Sequence, residues 1–484
     1  MVRFSNKQTS ISWLTTLLLA AFLGGCRVRH LPAPIPPLPL PGTYAGQSDT
    51  STIGEKPYRN LFTDTYLVAL VDTALNRNPD LRIALQRIEA ARGVFGIQQG
   101  ALLPQVDAVA SVGVDRYGRY TLNGVGNFDT NFSPNISSEQ RIPNPTPDYF
   151  LGLRTTWELD LWGKLRNRRR AAFLRLLASQ EGRNLVVTSL IADVAGLYYT
   201  LLALDGELEI IGENIELQQQ ALNLVEVQKA AGRVTELAVQ QFRAQLLDTR
   251  SREGQIQQEI VQTENRLNYL LGRYPQPIAR GASIEKQSLP PGIRAGVPVQ
   301  LLRRRPDVRQ AERELEAANV DVAVAQAEFW PSLRLSPYVG FNAFRPEVLL
   351  NPQSLATGVL AGLTAPVFNR RLLKGNLLIA ESQSREAFYV YQRSLLNGVS
   401  EVVTSLKGLE NYRNVADLKR QEVAVLRQAT TTSNELFANG YATYLEVITA
   451  QRSVLETELA LISTRRAQFQ SLVDLYRALG GGWE

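Results

Sequence analysis

Residues 148–161 read DYFLGLRTTWELDL, and this stretch decides how the chain folds. Its odd positions are Tyr149, Leu151, Leu153, Thr155, Trp157, Leu159 and Leu161. Its even positions are Asp148, Phe150, Gly152, Arg154, Thr156, Glu158 and Asp160. Side chains of a strand point alternately to opposite faces, so this alternation predicts a strand with one apolar and one polar face. Three other segments follow the rule. Val106, Ala108, Ala110, Val112 and Val114 alternate with Asp107, Val109, Ser111 and Gly113. Residues 333–341 put Leu333, Leu335, Val339 and Phe341 on one face, and residues 355–367 do the same with Leu355, Val359, Ala361, Leu363 and Val367. Strands of this length and patterning suit a transmembrane β-barrel. A soluble two-sheet sandwich of ordinary size needs more than four strands. Four are also too few to close a barrel, and an open edge is not tolerated in lipid, so a membrane-spanning version must close by oligomerising: eight strands from two chains or twelve from three.

Working outward, the chain repeats itself. Pro79, Asp80, Arg82, Glu89, Ala90, Ala91, Gln99, Pro104, Val112 and Gly113 recur 227 residues later, as Pro306, Asp307, Arg309, Glu316, Ala317, Ala318, Gln326, Pro331, Val339 and Gly340. Ala230, Gly232, Thr235, Leu237 and Val239 recur as Ala438, Gly440, Thr443, Leu445 and Val447, and Leu271-Gly272 as Leu479-Gly480, at an offset of 208. The 19-residue difference between the offsets falls in 115–147, whose Gly, Asn, Ser and Pro content predicts a loop. Each repeat has one grammar: a helix opened by proline, where the missing N–H costs nothing, two strands, then two long helices joined by a short turn. In the first long helix Leu204, Leu208, Ile211, Ile215, Gln218, Leu222 and Val225 step by 4 and 3. In the last, Leu445, Ile448, Arg452, Leu455, Leu459, Ile462, Arg466, Phe469, Val473 and Tyr476 do so. Such heptads imply coiled-coil packing, with Gln218, Arg452 and Arg466 as polar interruptions.

The 484 residues contain one Cys, one His and one Met, against 44% hydrophobic residues. This excludes disorder and a disulfide framework. Beyond the N-terminus there is no run of 18 apolar residues, so a helical membrane protein is not expected. No cluster has zinc-ligand spacing and no loop matches a phosphate-binding motif. A net charge of +6, from 52 basic and 46 acidic residues, is too small and dispersed to point to nucleic acid. A hydrolase needs a base beside its nucleophile, and the only His and Cys, His30 and Cys26, lie in the leader region, so no enzyme is expected.

The N-terminus has a basic segment with Arg3 and Lys7, an apolar stretch from Ile11 to Leu23, and then Leu23-Gly24-Gly25-Cys26. This resembles the bacterial lipobox, in which the cysteine is lipidated and becomes the first residue. Arg27 in second place resembles the sorting signal for the outer membrane. Residues 31–41, LPAPIPPLPLP, predict a stiff polyproline tether.

Three further motifs carry a family resemblance. LLRRRPDVR at 301–309, with Ala311-Glu312 and Ala317-Ala318, AEFWPS at 327–332 and NGYATYLEV at 439–447 resemble the TolC-like outer membrane factors, specifically efflux lipoproteins of the OprM/NodT type. The resemblance spans about residues 61–480. It implies a mixed α and β fold with an internal twofold repeat. Three chains would form an outer-membrane β-barrel of four strands per chain, continued by a long periplasmic α-helical coiled-coil barrel. The expected layout is a signal peptide at 1–25 and a lipidated tether at 26–60. Repeat 1 occupies 61–272, with a β-hairpin at about 105–162 and a helical hairpin at about 165–272. A linker follows at 273–304. Repeat 2 occupies 305–480, with a β-hairpin at about 332–368 and a helical hairpin at about 370–480.

The function implied is passive conduction of small molecules. The partners implied are outer-membrane lipid, a periplasmic adaptor and an inner-membrane pump of the resistance-nodulation-division type. A duct for type I protein secretion is the alternative. No cofactor is implied beyond the lipid on Cys26. The turns carrying Gly232, Thr235, Gly440, Tyr441 and Thr443 would form the periplasmic entrance and hold the adaptor. Glu446 would supply an acidic ring there; Thr449 and Ala238 fill positions that are acidic elsewhere in the family. Arg166, Arg168, Arg169 and Arg170, with Trp157, Trp162 and Trp330, would mark the barrel–periplasm border. Replacing the acceptor thiol tests the anchor: Cys26→Ser is expected to abolish labelling with radioactive palmitate.

Overall fold

The computed structural model describes residues 38–44, 51–290, 292–366, 368 and 370–483. The signal segment, Cys26, His30, residues 31–37 of the proline tract and Val367 lie outside the described residues. The chain packs as two compact units. One comprises Ala90–Leu176 and Glu314–Ala387; the other comprises the described residues up to Glu89, Leu177–Arg313 and the chain from Phe388 onward.

The first unit holds one four-stranded antiparallel sheet in the order β1-β2-β3-β4. The strands are β1 (Gln105–Asp115), β2 (Thr146–Leu159), β3 (Ser332–Ala343) and β4 (Leu355–Thr364). The central pairing, β2 with β3, joins segments almost two hundred residues apart, matching Leu151 with Phe341 and Leu153 with Val339. One register carries the whole apolar set onto a single face, where Ala110, Leu151, Phe341 and Leu355 lie in one cross-strand row. That face holds no charged residue on any of the four strands. The opposite face carries Asp107, Asp148, Arg154, Glu158 and Arg334. Residues 115–147 are not wholly loop, because a nine-residue helix, Leu122–Thr130, forms there. The Thr121 side chain accepts from the Gly124 N–H and caps it.

The helices come in two matching sets. The long ones are Lys164–Ala230 (67 residues) and Arg370–Ala438 (69 residues), each about 100 Å at 1.5 Å per residue. The short ones are Pro79–Gly100 and Pro306–Ala327, of 22 residues each, and Glu236–Leu270 and Tyr444–Ala478, of 35 each. In chain order with Thr65–Arg77 and Leu122–Thr130 they are α1 (65–77), α2 (79–100), α3 (122–130), α4 (164–230), α5 (236–270), α6 (306–327), α7 (370–438) and α8 (444–478). One stretch of α4 is apolar enough by composition to cross a membrane, but most of it is buried within the protein. It builds the core: Val194, Tyr198 and Leu201 are fully buried, and Tyr199 stacks on Phe469 with ring centroids 4.6 Å apart. The linker after α5 packs into this core through Ile278, Ile284 and Ala295. Its Gly281 N–H donates to the Tyr198 hydroxyl, which donates to Asp64 at 2.6 Å.

On α8 the predicted seam is buried at Leu455, Ile462, Phe469, Val473 and Tyr476, while Leu445 and Arg452 near its start are exposed. A second row beside it is buried as well: Val447, Gln451, Val454, Glu458, Leu461, Gln468, Leu472 and Leu475. Three members of that second row are polar, so a search for apolar residues does not find it. On α4 the predicted seam is the buried one, with Leu204, Ile211, Gln218 and Val225 all inside.

The arginine-rich segment at 303–309 works as a fastener. Arg305, 6% exposed, donates to Asp307, to Glu401 at 2.7 Å and to the Ala478 carbonyl at the end of α8. Burial lowers its pKa, but Asp307 and Glu401 outweigh that and hold it above the ordinary value. Arg304 pairs with Glu55, and Arg309 pairs with Glu181 and lies over the Trp483 ring. At the start of α2 the Asn78 amide makes the corresponding contact, donating to the Leu270 carbonyl at the end of α5. Both junctions need glycine. A Cβ on Gly272 would stand 2.5 Å from the Arg77 carbonyl oxygen, and one on Gly480 2.5 Å from that of Arg304; both glycines have positive φ. Gly232 also has positive φ, but space beside it is open. Gly232→Ala is therefore expected to cost about 1 kcal/mol and Gly480→Ala about 3 kcal/mol or more. Thermal unfolding followed by circular dichroism should rank the two in that order.

Candidate functional site

The candidate site is the pair of turns that reverse the long helices. α4 ends at Ala230 and α7 at Ala438, and a positive-φ glycine follows in each case: Gly232 at 70° and Gly440 at 80°. The next N–H, of Arg233 or Tyr441, reaches back to the Gln228 or Leu436 carbonyl at 2.9 and 2.8 Å. This bond occupies a carbonyl that the helix end leaves without a partner, and it needs the left-handed residue before it. Thr235 and Thr443 then stand in extended conformation as the N-caps of α5 and α8.

The turns pack on each other. Val225 of α4, Ala238 and Phe242 of α5, Phe437 of α7 and Val447 of α8 share one apolar cluster. Beside it runs a groove lined by Gln228, Arg233, Thr235, Phe437, Gly440 and Thr443. Of the residues singled out from sequence, Thr235, Gly440 and Thr443 come together here. Gly232, Tyr441 and Glu446 do not line the groove, and Tyr441 is 84% exposed. Phe437 and Phe242, which join the two hairpins, escaped the sequence reading because each sits in a short apolar pattern that fits its own hairpin equally well.

Glu446 is exposed, and its carboxylate accepts from the Thr443 N–H, closing a capping box at the start of α8. Ala238 is fully buried in the apolar cluster, and Thr449 donates within its own helix to the Leu445 carbonyl. Glu458 is 6% exposed and bonded to Arg427 at 2.7 Å, so it ties α8 to α7 and is not a surface acid. That hydrogen bond holds the Arg427 guanidinium above its usual pKa. In the first hairpin, the Lys229 ammonium bonded to Glu236 holds that carboxyl below the usual range, and Arg243 pairs with Glu226.

At the sheet end, Trp162 stacks on Trp330 at 4.9 Å and donates to the Pro331 carbonyl, while Trp157 donates to the Leu102 carbonyl. Arg166 pairs with Asp160, which also caps the start of α4, and Arg168 pairs with Glu328. Arg169 and Arg170 are exposed, and among the described residues neither is in an ion pair. The described residues contain no group of acids, His or Cys arranged to hold a metal ion.

An uncharged sheet face, two free sheet edges and paired hundred-ångström helices define an outer-membrane channel protein. Residues 70–273 and 297–481 match the family described as Outer membrane efflux protein, and the chain belongs to that family. It is 30% identical over 469 residues to the solvent efflux pump outer membrane protein SrpC of Pseudomonas putida, covering 95% of this chain and 96% of that one. It is 27% identical over 489 residues to the probable outer membrane lipoprotein SilC of Salmonella typhimurium, covering 99% of both. A crystal structure of a membrane protein from Pseudomonas aeruginosa superposes with a TM-score of 0.81 at 27% identity, over 95% of this chain and 98% of that one. The chain is thus an outer-membrane channel component of an efflux system, which does not favour the secretion duct.

The capping role of Glu446 separates its charge from its hydrogen bond. Glu446→Gln keeps an acceptor for the Thr443 N–H, whereas Glu446→Ala removes it, costing about 1 kcal/mol of local stability. Hydrogen exchange at the Thr443 N–H is expected to quicken about fivefold in the alanine variant and to stay unchanged in the glutamine variant.

Proposed function

We propose that three copies of this chain close a twelve-stranded barrel in the outer membrane, and that their helices close a tunnel through which small molecules leave the periplasm. The sheet is the observation that carries this reading. β1 and β4 each have one neighbour, so two edges of backbone N–H and C=O groups stand open beside a face without charge. In hydrocarbon each such group costs several kcal/mol unless another strand pairs it. Three chains, and not two, is the number the family resemblance supplies. The twofold repeat of the sequence, with its equal short helices and matching junctions at Asn78 and Arg305, gives each chain two similar hairpins and the assembly a near-sixfold wall.

Conduction is passive in this reading, and the chain catalyses nothing. An inner-membrane pump supplies the energy, and a periplasmic adaptor links the pump to the paired turns around Gly232, Thr235, Gly440 and Thr443. A lipid on Cys26 adds a second hold on the membrane. SrpC is named for solvent efflux, and organic molecules of low polarity are the first substrates to try.

Mass measurement of the detergent-solubilised protein tests the assembly, with a mass of three chains expected. In planar bilayers the same material should pass ions, and Glu446→Gln should lower cation selectivity if the three carboxylates ring the entrance. A monodisperse monomer would overturn the trimer. A trimer that passes no current would make the assembly a scaffold.

A further inference from the structure

The polar face of the sheet carries a group of side chains that the proposed assembly does not require. Phe150 of β2 is 4% exposed. Arg154, on the same strand and the same face, places its guanidinium 4.5 Å from the Phe150 ring centre. Tyr338 of β3, the cross-strand partner of Arg154, meets that ring edge-on at 6.1 Å.

Beneath them lies a floor of glycine. Gly152 faces Gly340, and Gly358 faces Tyr338. A Cβ on Gly358 would fall 2.4 Å from the Tyr338 ring, and one on Gly340 would fall 2.9 Å from Phe150. Strand side chains ordinarily stand up from the sheet. Here Gly358 leaves room for the Tyr338 ring to lie over it, and Gly340 leaves room for the tip of the Phe150 ring.

The Arg154 charge has a ring, and among the described residues no carboxylate, as its partner. Asp107, opposite it on β1, accepts instead from Gln105. The other arginine of this face, Arg334, stands 3.7 Å from Glu158. A guanidinium stacked on a ring keeps its in-plane N–H groups available for an anion. Tyr338, 40% exposed, offers an aromatic surface beside it.

We propose that Arg154, backed by the buried Phe150 ring, and the exposed face of Tyr338 form a cationic-aromatic plate on the inner wall of the conducting bore, which binds passing solutes that combine an aromatic ring with a negative charge. The proposal rests on the channel reading, since only closure of the sheet with its uncharged face toward lipid turns this face inward. Asp107, Asp148 and Glu158 make the rest of the wall acidic, so an anion has few other places to rest. The glycine floor keeps the plate from narrowing the bore.

Single-channel recording of the full-length protein in planar bilayers tests this, with 2-naphthalenesulfonate as probe and methanesulfonate as the ring-free control. The naphthalene compound should block the wild-type current reversibly and at lower concentration than the control. Arg154→Gln should raise the half-blocking concentration about tenfold, the factor one charge-assisted hydrogen bond is worth. Tyr338→Leu should also raise it without touching a charge, and it carries the test should Arg154→Gln fail to assemble. Gly358→Val should lower the open-channel conductance by lifting the tyrosine, and Gly358→Val with Tyr338→Ala should restore it. A conducting wild type that both anions block equally, or variants with unchanged block, would overturn the plate alone. A wild-type trimer without current would overturn the channel and the plate together.

Discussion

Hydrocarbon accepts neither a charge on the outward face of a strand nor an unpaired strand edge, and the sheet answers to that constraint. The four strands keep every charged residue on one side, across a register joining segments almost two hundred residues apart. A slip of one residue between β2 and β3 would move Arg334 and the Tyr338 hydroxyl to the apolar side. The sheet ends at two strands with one neighbour each, which is why we propose that other copies of the chain complete it. Because the apolar face is closed to charge, the polar face collects all of it, together with the glycines that leave room for the Tyr338 and Phe150 rings.

The helical unit depends on a different device. Each short helix begins where a hairpin ends, and the two chain segments approach so closely that only glycine fits at the crossing. Asn78 and Arg305 then bond to the last carbonyls of α5 and α8. Arg305 does so from inside the protein, which is tolerable because Asp307 and Glu401 accept its remaining N–H groups. The signature LLRRRPDVR is therefore an instruction for assembling the chain, with Arg304, Arg305 and Arg309 each tied to a different segment.

At the turns, the residues proposed to meet the adaptor also have structural work. Gly232 and Gly440 supply the left-handed step, and Thr235 and Thr443 start the returning helices. The apolar cluster around Ala238 and Phe437 holds the two turns together within one chain. Acidic residues near the end divide by role: Glu446 caps a helix while remaining at the surface, and Glu458 locks α7 to α8 from within. Sequence reading places Glu446 near the tip and Glu458 outside it, but does not show that Glu458 is buried.

Local rules determined much of this protein directly from its sequence. Period-2 alternation specified the strands and which face of each is apolar. Proline at 79 and 306 and glycine at 232 and 440 specified where helices begin and reverse, because those constraints act through the backbone of a single residue. The heptad of α4 was equally legible, since its buried row is mostly apolar. A second buried row on α8 was not, because its Gln451, Glu458 and Gln468 are polar and are buried only through what other helices place beside them. Nor could any local pattern show that Phe437 meets Phe242's cluster, that Arg305 ends at Ala478, or that Tyr338 lies over Gly358. These are contacts between residues distant in the chain, and they exist only once the register and packing of whole elements have brought the partners within reach.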